Sequence, residues 1–227
     1  SSDNFWQLRW ATWTFGNTPL HWAAYNGHLA AIQALLANGA NVEAKNVKGW
    51  TPLHVAAKEV PAATIQALID KGANYLKAQS KDDWTPLHTA AQEGHAAVIQ
   101  ALIDKGANIE ASSDNFWTFG NTPLHEAARK GHVVAIQALL DKGANLETKD
   151  EDGSTPLHLA AANGHLAAIQ ALIDKGAKLE AKNEDGWTPL HLAAANGHAA
   201  AIKALIDKGA KLEAKNEDGW TPLHLAA

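Results

Sequence analysis

The chain has 227 residues and contains no cysteine, no methionine and only two tyrosines. Without cysteine there are no disulfides, no thiolate chemistry and no cysteine-based zinc sites, and the redox compartment stays open. Methionine is missing even at position 1, which is Ser1. No apolar run approaches the ~18 residues that a membrane-spanning helix needs, so membrane insertion is not expected. Ser1 to Trp6 carry no basic region leading into an apolar stretch, so no signal peptide is expected. A basic stripe is also lacking. The 19 Lys and Arg face 24 Asp and Glu, for a net charge of −5, which argues against nucleic acid as the main partner. Apolar residues are plentiful at 46%, so burial does not limit folding.

What is present is periodic. The tetrapeptide Thr-Pro-Leu-His begins at Thr18, Thr51, Thr85, Thr122, Thr155, Thr188 and Thr221, at intervals of 33, 34, 37, 33, 33 and 33 residues. A period of this size marks a stacked repeat array, an architecture that presents an extended surface to a partner. The segment Glu180 to Lys211 serves as the pattern. Asn183-Glu184-Asp185-Gly186 is a turn ending in a glycine that tolerates positive φ. Thr188 is a candidate N-cap, with Pro189 at the first helical position, where no N–H is needed. Leu190 to Asn196 forms a short helix closed by Gly197. His198 opens a longer helix through Lys208, with Ile202, Leu205 and Ile206 at the i, i+3, i+4 spacing of a buried stripe. Helices this short need neighbouring repeats for stability.

Turn, helix and helix in 33 residues, with T-P-L-H-x-A-A and G-H at fixed places, closely resembles the ankyrin repeat over essentially the entire chain. The resemblance implies an all-α solenoid of about seven repeats, the last incomplete, each with a β-turn finger and two antiparallel helices. It further implies that fingertips and the exposed side of the first helix form a concave recognition surface. Residues 1–227 are expected to be one solenoid, with 1–17 an aromatic N-terminal finger segment, 18–149 variable repeats and 150–227 near-consensus repeats.

All twelve histidines stand at repeat positions. His21, His54, His88, His125, His158, His191 and His224 end the tetrapeptide, and His28, His95, His132, His165 and His198 follow the loop position. Metal binding needs several ligands converging at about 2 Å, whereas stacked helices separate equivalent residues by roughly 8–10 Å. The imidazoles are therefore expected to hydrogen-bond loop and neighbouring-repeat backbone. No nucleophile or carboxylate set stands apart from the repeat, so neither catalysis nor a cofactor or metal is expected.

Binding residues are expected where the scaffold is broken. Trp50, Trp84, Trp187 and Trp220 precede Thr-Pro in one register, whereas the other eleven aromatics all lie at or before Phe119. Between Ala111 and Thr122 stands SSDNFWTFGN, four residues longer than the framework KNEDGW. Its Phe116, Trp117 and Phe119 have the composition of a paratope loop, since aromatics bring large area at low entropic cost. The same words recur as SSDNFW at 1–6 and TFGN at 14–17, adding Phe5, Trp6, Trp10, Trp13 and Phe15. On the first helices, the residue after TPLH and those three and four later share one face. They read Trp22/Tyr25/Asn26, Val55/Lys58/Glu59, Thr89/Gln92/Glu93 and Glu126/Arg129/Lys130, then settle to Leu159/Ala162/Asn163 and Leu192/Ala195/Asn196. Core positions resist such changes in size and charge, so this face is expected to be exposed. The candidate protein-binding set joins these aromatics, with Trp50 and Trp84, to Trp22, Tyr25, Val55, Lys58, Thr89, Gln92, Glu126, Arg129 and Lys130.

Local departures carry structural expectations. Asp83 stands where Gly49 and Gly186 stand and is expected in the left-handed conformation. Val60-Pro61 replaces Gly-His, a local softening, and Tyr75-Leu76-Lys77 replaces the usual Val/Leu-Glu-Ala. The register begins inside a finger and stops after a first helix, so both ends look cut. Leu223, Leu225, Leu205 and Ile206 are expected to lack a covering repeat, with fraying after Trp220 or an intermolecular contact there.

The leading function is a binding module for a protein or peptide, most like an engineered ankyrin-repeat binder. Gly176–Ala194 is identical to Gly209–Ala227, and missing thiols suit a designed scaffold. The alternatives are a natural ankyrin array, a fragment of a scaffolding or host-directed protein that would more naturally be cytoplasmic, or a solenoid that self-associates through uncapped ends.

Overall fold

In the computed structural model the described residues are 16–59, 62–73, 78–113 and 120–225. They form thirteen helices and, among the described residues, no strand. The helices come in pairs. These are α1 Pro19–Tyr25 with α2 Leu29–Ala37, α3 Pro52–Glu59 with α4 Ala62–Asp70, and α5 Pro86–Gln92 with α6 Ala96–Asp104. Then follow α7 Pro123–Lys130 with α8 Val133–Asp141, α9 Pro156–Ala162 with α10 Leu166–Asp174, α11 Pro189–Ala195 with α12 Ala199–Asp207, and α13 Pro222–Leu225. The architecture is an all-helical ankyrin-repeat solenoid.

Each first helix begins as its sequence dictates. Thr18 takes an extended N-cap conformation with ψ 166°, and Pro19 follows at the first helical position. The histidine at N3 completes a reciprocal cap in place of the usual Glu or Gln. The Thr18 N–H donates to His21 Nδ1 at 3.1 Å, and Thr18 Oγ1 accepts from the His21 N–H at 3.4 Å. Second helices start one residue after the histidine, as in Ala199 after His198. Asp83 has φ +52°, the left-handed conformation its place in the finger predicts.

Two compact units emerge, one of residues 1–90 and 97–108, the other of residues 91–96 and 109–227. Within the first, α1 packs on α2 and α3, α2 on α4, and α3 on α4. Within the second, α7, α9 and α11 each pack on their own second helix and on the next first helix, the last of which is α13, while α8, α10 and α12 pack in sequence. Packing against neighbouring helices supplies the stabilisation that helices of nine residues or fewer lack alone. The core is layered by repeat: Leu157, Ala160, Ala161, Ala168, Ile169 and Leu172 are essentially inaccessible, and their equivalents recur.

Two expectations about packing are corrected. On α10 the fully buried stripe is Ala168, Ile169 and Leu172, whereas of the stripe expected on α12 only Leu205 is fully buried, and Ile202 and Ile206 are half-buried. Leu205, expected to be uncovered, is inaccessible, on a helix that packs against both α11 and α10; Leu223 is 70% exposed and Trp220 is 49% exposed.

Candidate functional site

The histidines are occupied by the framework. Because a backbone N–H only donates, Nδ1 of each TPLH imidazole is the acceptor and Nε2 carries the proton. That Nε2–H donates to a finger carbonyl of the following repeat. The pairs are His21 to Trp50 at 2.9 Å, His54 to Trp84 at 2.9 Å, His125 to Ser154 at 3.0 Å, His158 to Trp187 at 3.0 Å and His191 to Trp220 at 3.1 Å. The second row points backward. His132, His165 and His198 donate to the carbonyls of Gln92, Arg129 and Ala162 at the ends of the preceding first helices. There the imidazole lies so close to the preceding loop glycine that a Cβ on Gly131 or Gly164 would stand 2.7 or 2.6 Å from the ring. The spacing of the two histidine rows thus predicts their hydrogen bonds. Burial lowers His54 and His158 to about 4, partly offset by their bonds to carbonyls, so both are neutral at pH 7. Among the described residues, no group of three His, Cys, Asp or Glu could hold a metal ion.

The candidate binding residues divide by burial. Phe5, Trp6, Trp10, Trp13, Phe15, Phe116, Trp117 and Phe119 lie outside the described residues, as do Val60-Pro61 and Tyr75-Leu76-Lys77. Trp22 is half-buried and meets Tyr25 edge to face, with ring centroids 6.1 Å apart; Tyr25 is 38% exposed. Trp50 is half-buried, stacked on His54, with Lys48 Nζ 6.0 Å from its ring centroid. Lys58, Gln92 and Arg129 are half-buried and Lys130 is exposed. These positions reach the surface.

Four others do not: three of them correct the expectation that the whole helix face is exposed, and the fourth, Trp84, stands at the finger position before Thr-Pro. Val55, Trp84, Thr89 and Glu126 are buried, Glu126 completely. The physical reason is the geometry of the helix start. The residue before the N-cap threonine and the fourth helical residue come together across the first turn, the arrangement called a hydrophobic staple. Trp84 Nε1–H donates to Thr89 Oγ1 at 2.9 Å, and Asn121 Nδ2–H donates to Glu126 Oε1 at 2.8 Å. In these repeats the residue after TPLH is therefore an anchor of the first turn, paired by a hydrogen bond with the residue before Thr-Pro in the Trp84–Thr89 and Asn121–Glu126 cases. The five-residue spacing of this pair was the signal available in the sequence. Arg129 completes the second cluster, its Nε and Nη2 donating to the Glu126 carboxylate.

The finger residue four before the N-cap's neighbour also departs from the framework. Asn46, Asn183 and Asn216 each accept, through Oδ1, the N–H of the tryptophan before Thr-Pro. Asp150 does the same for Ser154 at 2.7 Å. Burial, with the charges of Asp152 and Glu151, raises its carboxyl to about 6 against the opposing pull of the Ser154 N–H.

The ankyrin-repeat family profile, described as "Ankyrin repeats (3 copies)", matches residues 4–77, 20–113, 62–150, 111–183 and 177–227. Among curated proteins the chain has no match. Among solved structures it is similar to the human ASB11 ankyrin repeat domain, at 30% identity and a TM-score of 0.83 over 93% of this chain and 92% of that one. It is also similar to the ankyrin repeat domain of Bcl-3, described as a unique member of the IkappaB protein family, at 30% identity and a TM-score of 0.78 over 94% and 95%. Among the described residues no helix is long and apolar enough to cross a membrane. Ankyrin repeats are generally protein-binding modules, typically without enzymatic activity. This chain belongs to the ankyrin-repeat family.

Proposed function

We propose that the chain is a non-enzymatic protein-binding module, an engineered consensus ankyrin-repeat binder that engages a protein target through its aromatic fingers and first-helix faces. The carrying observation is the division of the variable positions. The buried histidine framework repeats with constant chemistry, whereas Tyr25, Lys58, Gln92 and Arg129 occupy one register, reach the surface and differ in kind. Where the framework is constant, that register holds only Ala162 and Ala195. Aromatic and Arg side chains on such a surface are the residue types that dominate binding energy. The identical segments Gly176–Ala194 and Gly209–Ala227, with no Cys or Met, favour engineered over natural origin; a longer natural parent sequence would decide for a natural array.

The test compares capture from a panel of soluble ectodomains by three chains. The first is the parent, the second has residues 112–121 replaced by KNEDGW, and the third carries Trp22→Leu, Tyr25→Ala, Arg129→Ala and Lys130→Asn together with Glu126→Leu, the residues of the constant repeats. A target held by the parent and lost by either variant supports recognition at the broken positions. Equal capture by all three overturns it.

A further inference from the structure

We infer that Arg129 is a preoriented cation that takes a carboxylate of an acidic segment on the protein partner, with Glu126 and Asn121 as its positioning residues; this deepens the binding function proposed above. Glu126 is completely buried at the fourth residue of α7. Its carboxylate accepts from Asn121 Nδ2 at 2.8 Å and from Arg129 Nε at 3.2 Å, with Arg129 Nη2 closing the pair. The acid thus takes the Nε–Nη2 edge of the guanidinium. The Nη1 nitrogen has no hydrogen bond among the described residues, and the Arg129 side chain is 27% exposed. Lys130 follows, exposed.

Packing alone does not call for this cluster. Taking a carboxylate and a guanidinium out of water is costly, and apolar residues of similar volume commonly serve stability as well or better. The chain carries that apolar solution in the same unit, with Leu159/Ala162 and Leu192/Ala195 at the positions of Glu126/Arg129. The negative end of the α7 dipole favours a cation in the last turn, which accounts for Arg129 and Lys130 as charges but not for a buried Glu126. What the acid and Asn121 add is orientation: a long, rotamer-rich side chain is held in one geometry before binding, which removes an ordering cost from association. The Glu126–Arg129 pair is neutral as a whole, so the net positive charge of the cluster is that of the adjacent exposed Lys130, beside which Arg129 offers its Nη1 donors. A planar guanidinium presented edge-on matches a carboxylate, so the complementary partner group is a Glu or Asp side chain.

The test titrates the chain with an acetylated, amidated peptide alternating Gly and Glu, and with its Gln counterpart, reading the Arg129 Nε–Hε resonance. The Glu peptide is expected to shift it saturably and the Gln peptide not. Glu126→Leu, the framework residue, keeps the Arg129 charge, removes the anion paired with it and releases the side chain; the lost orientation is expected to outweigh the electrostatic gain and weaken binding about fivefold. Glu126→Leu with Arg129→Ala restores the apolar pair and is expected to abolish the peptide effect, read on Lys130 and neighbouring amides. Equal shifts with both peptides, or an unweakened Glu126→Leu chain, overturn the inference. Failure here with a protein target still captured removes only the acidic partner, whereas peptide binding without any captured target removes the broader function.

Discussion

At the scale of single residues, the most informative departure is Asp150. It occupies a finger position held elsewhere by Asn46, Asn183 and Asn216, and performs the same backbone cap with a charged group in a partly buried site. Its carboxyl is raised from 3.8 to about 6, so between those values the folded chain holds a proton that the unfolded chain has released. Stability from this group therefore falls as pH rises through that window, and the cost is complete above about 6. Asp150→Asn is expected to raise the melting temperature at pH 7 and to leave it unchanged below pH 4. Calorimetry at both pH values checks this, and an equal gain at both would mean that the charge is not the cause.

At the scale of the helix, the first turn is the unit that matters. Threonine caps it, proline starts it, histidine closes the reciprocal cap, and the residues on either side of the tetrapeptide staple it. Trp84 and Thr89 show the staple in hydrogen-bonded form, with both partners buried. Thr89→Val keeps the shape but leaves the Trp84 indole N–H buried without this acceptor. The expected destabilisation is about 1–3 kcal/mol, measured as a lowered urea midpoint with an unchanged denaturant slope. Tyr25 and Lys58, three residues beyond the staple position, face outward instead, so neighbouring positions on one nominal face have different roles.

At the scale of the whole molecule, the histidines join one repeat to the next. Each TPLH imidazole must be neutral to accept from its threonine N–H, and a proton on Nδ1 would set two donors against each other. His54 and His158 are lowered from 6.5 to about 4, so within that window the unfolded chain binds protons that the folded chain excludes. Their contribution is complete above about pH 6.5 and is lost as pH falls through about 4. This is opposite in sign to Asp150. Acid unfolding below pH 6 is expected to coincide with loss of the Nε2–H tautomer in long-range 1H–15N spectra of the imidazoles. A Nδ1–H tautomer at pH 7 would contradict the hydrogen-bond directions. Ring contacts with Trp50, Trp84, Trp187 and Trp220 flank the histidines that follow them, so the repeated tryptophans belong to this same joint.

The periodic tetrapeptide, the caps and the left-handed Asp83 were legible in the sequence because they depend on residues within a few positions of one another. The joining role of the histidines was legible for a related reason, since their fixed register forbids convergence on an ion. Which variable residues reach solvent was decided only in three dimensions. Val55, Thr89 and Glu126 share a helix face with Lys58, Gln92 and Arg129, yet the first three are buried under the turn and the last three are not. Burial is a property of neighbours and not of the residue itself. Leu190 and Leu223 lie in identical stretches of sequence, and α13 packs against α11, the helix of Leu190; one leucine is 1% exposed and the other 70%.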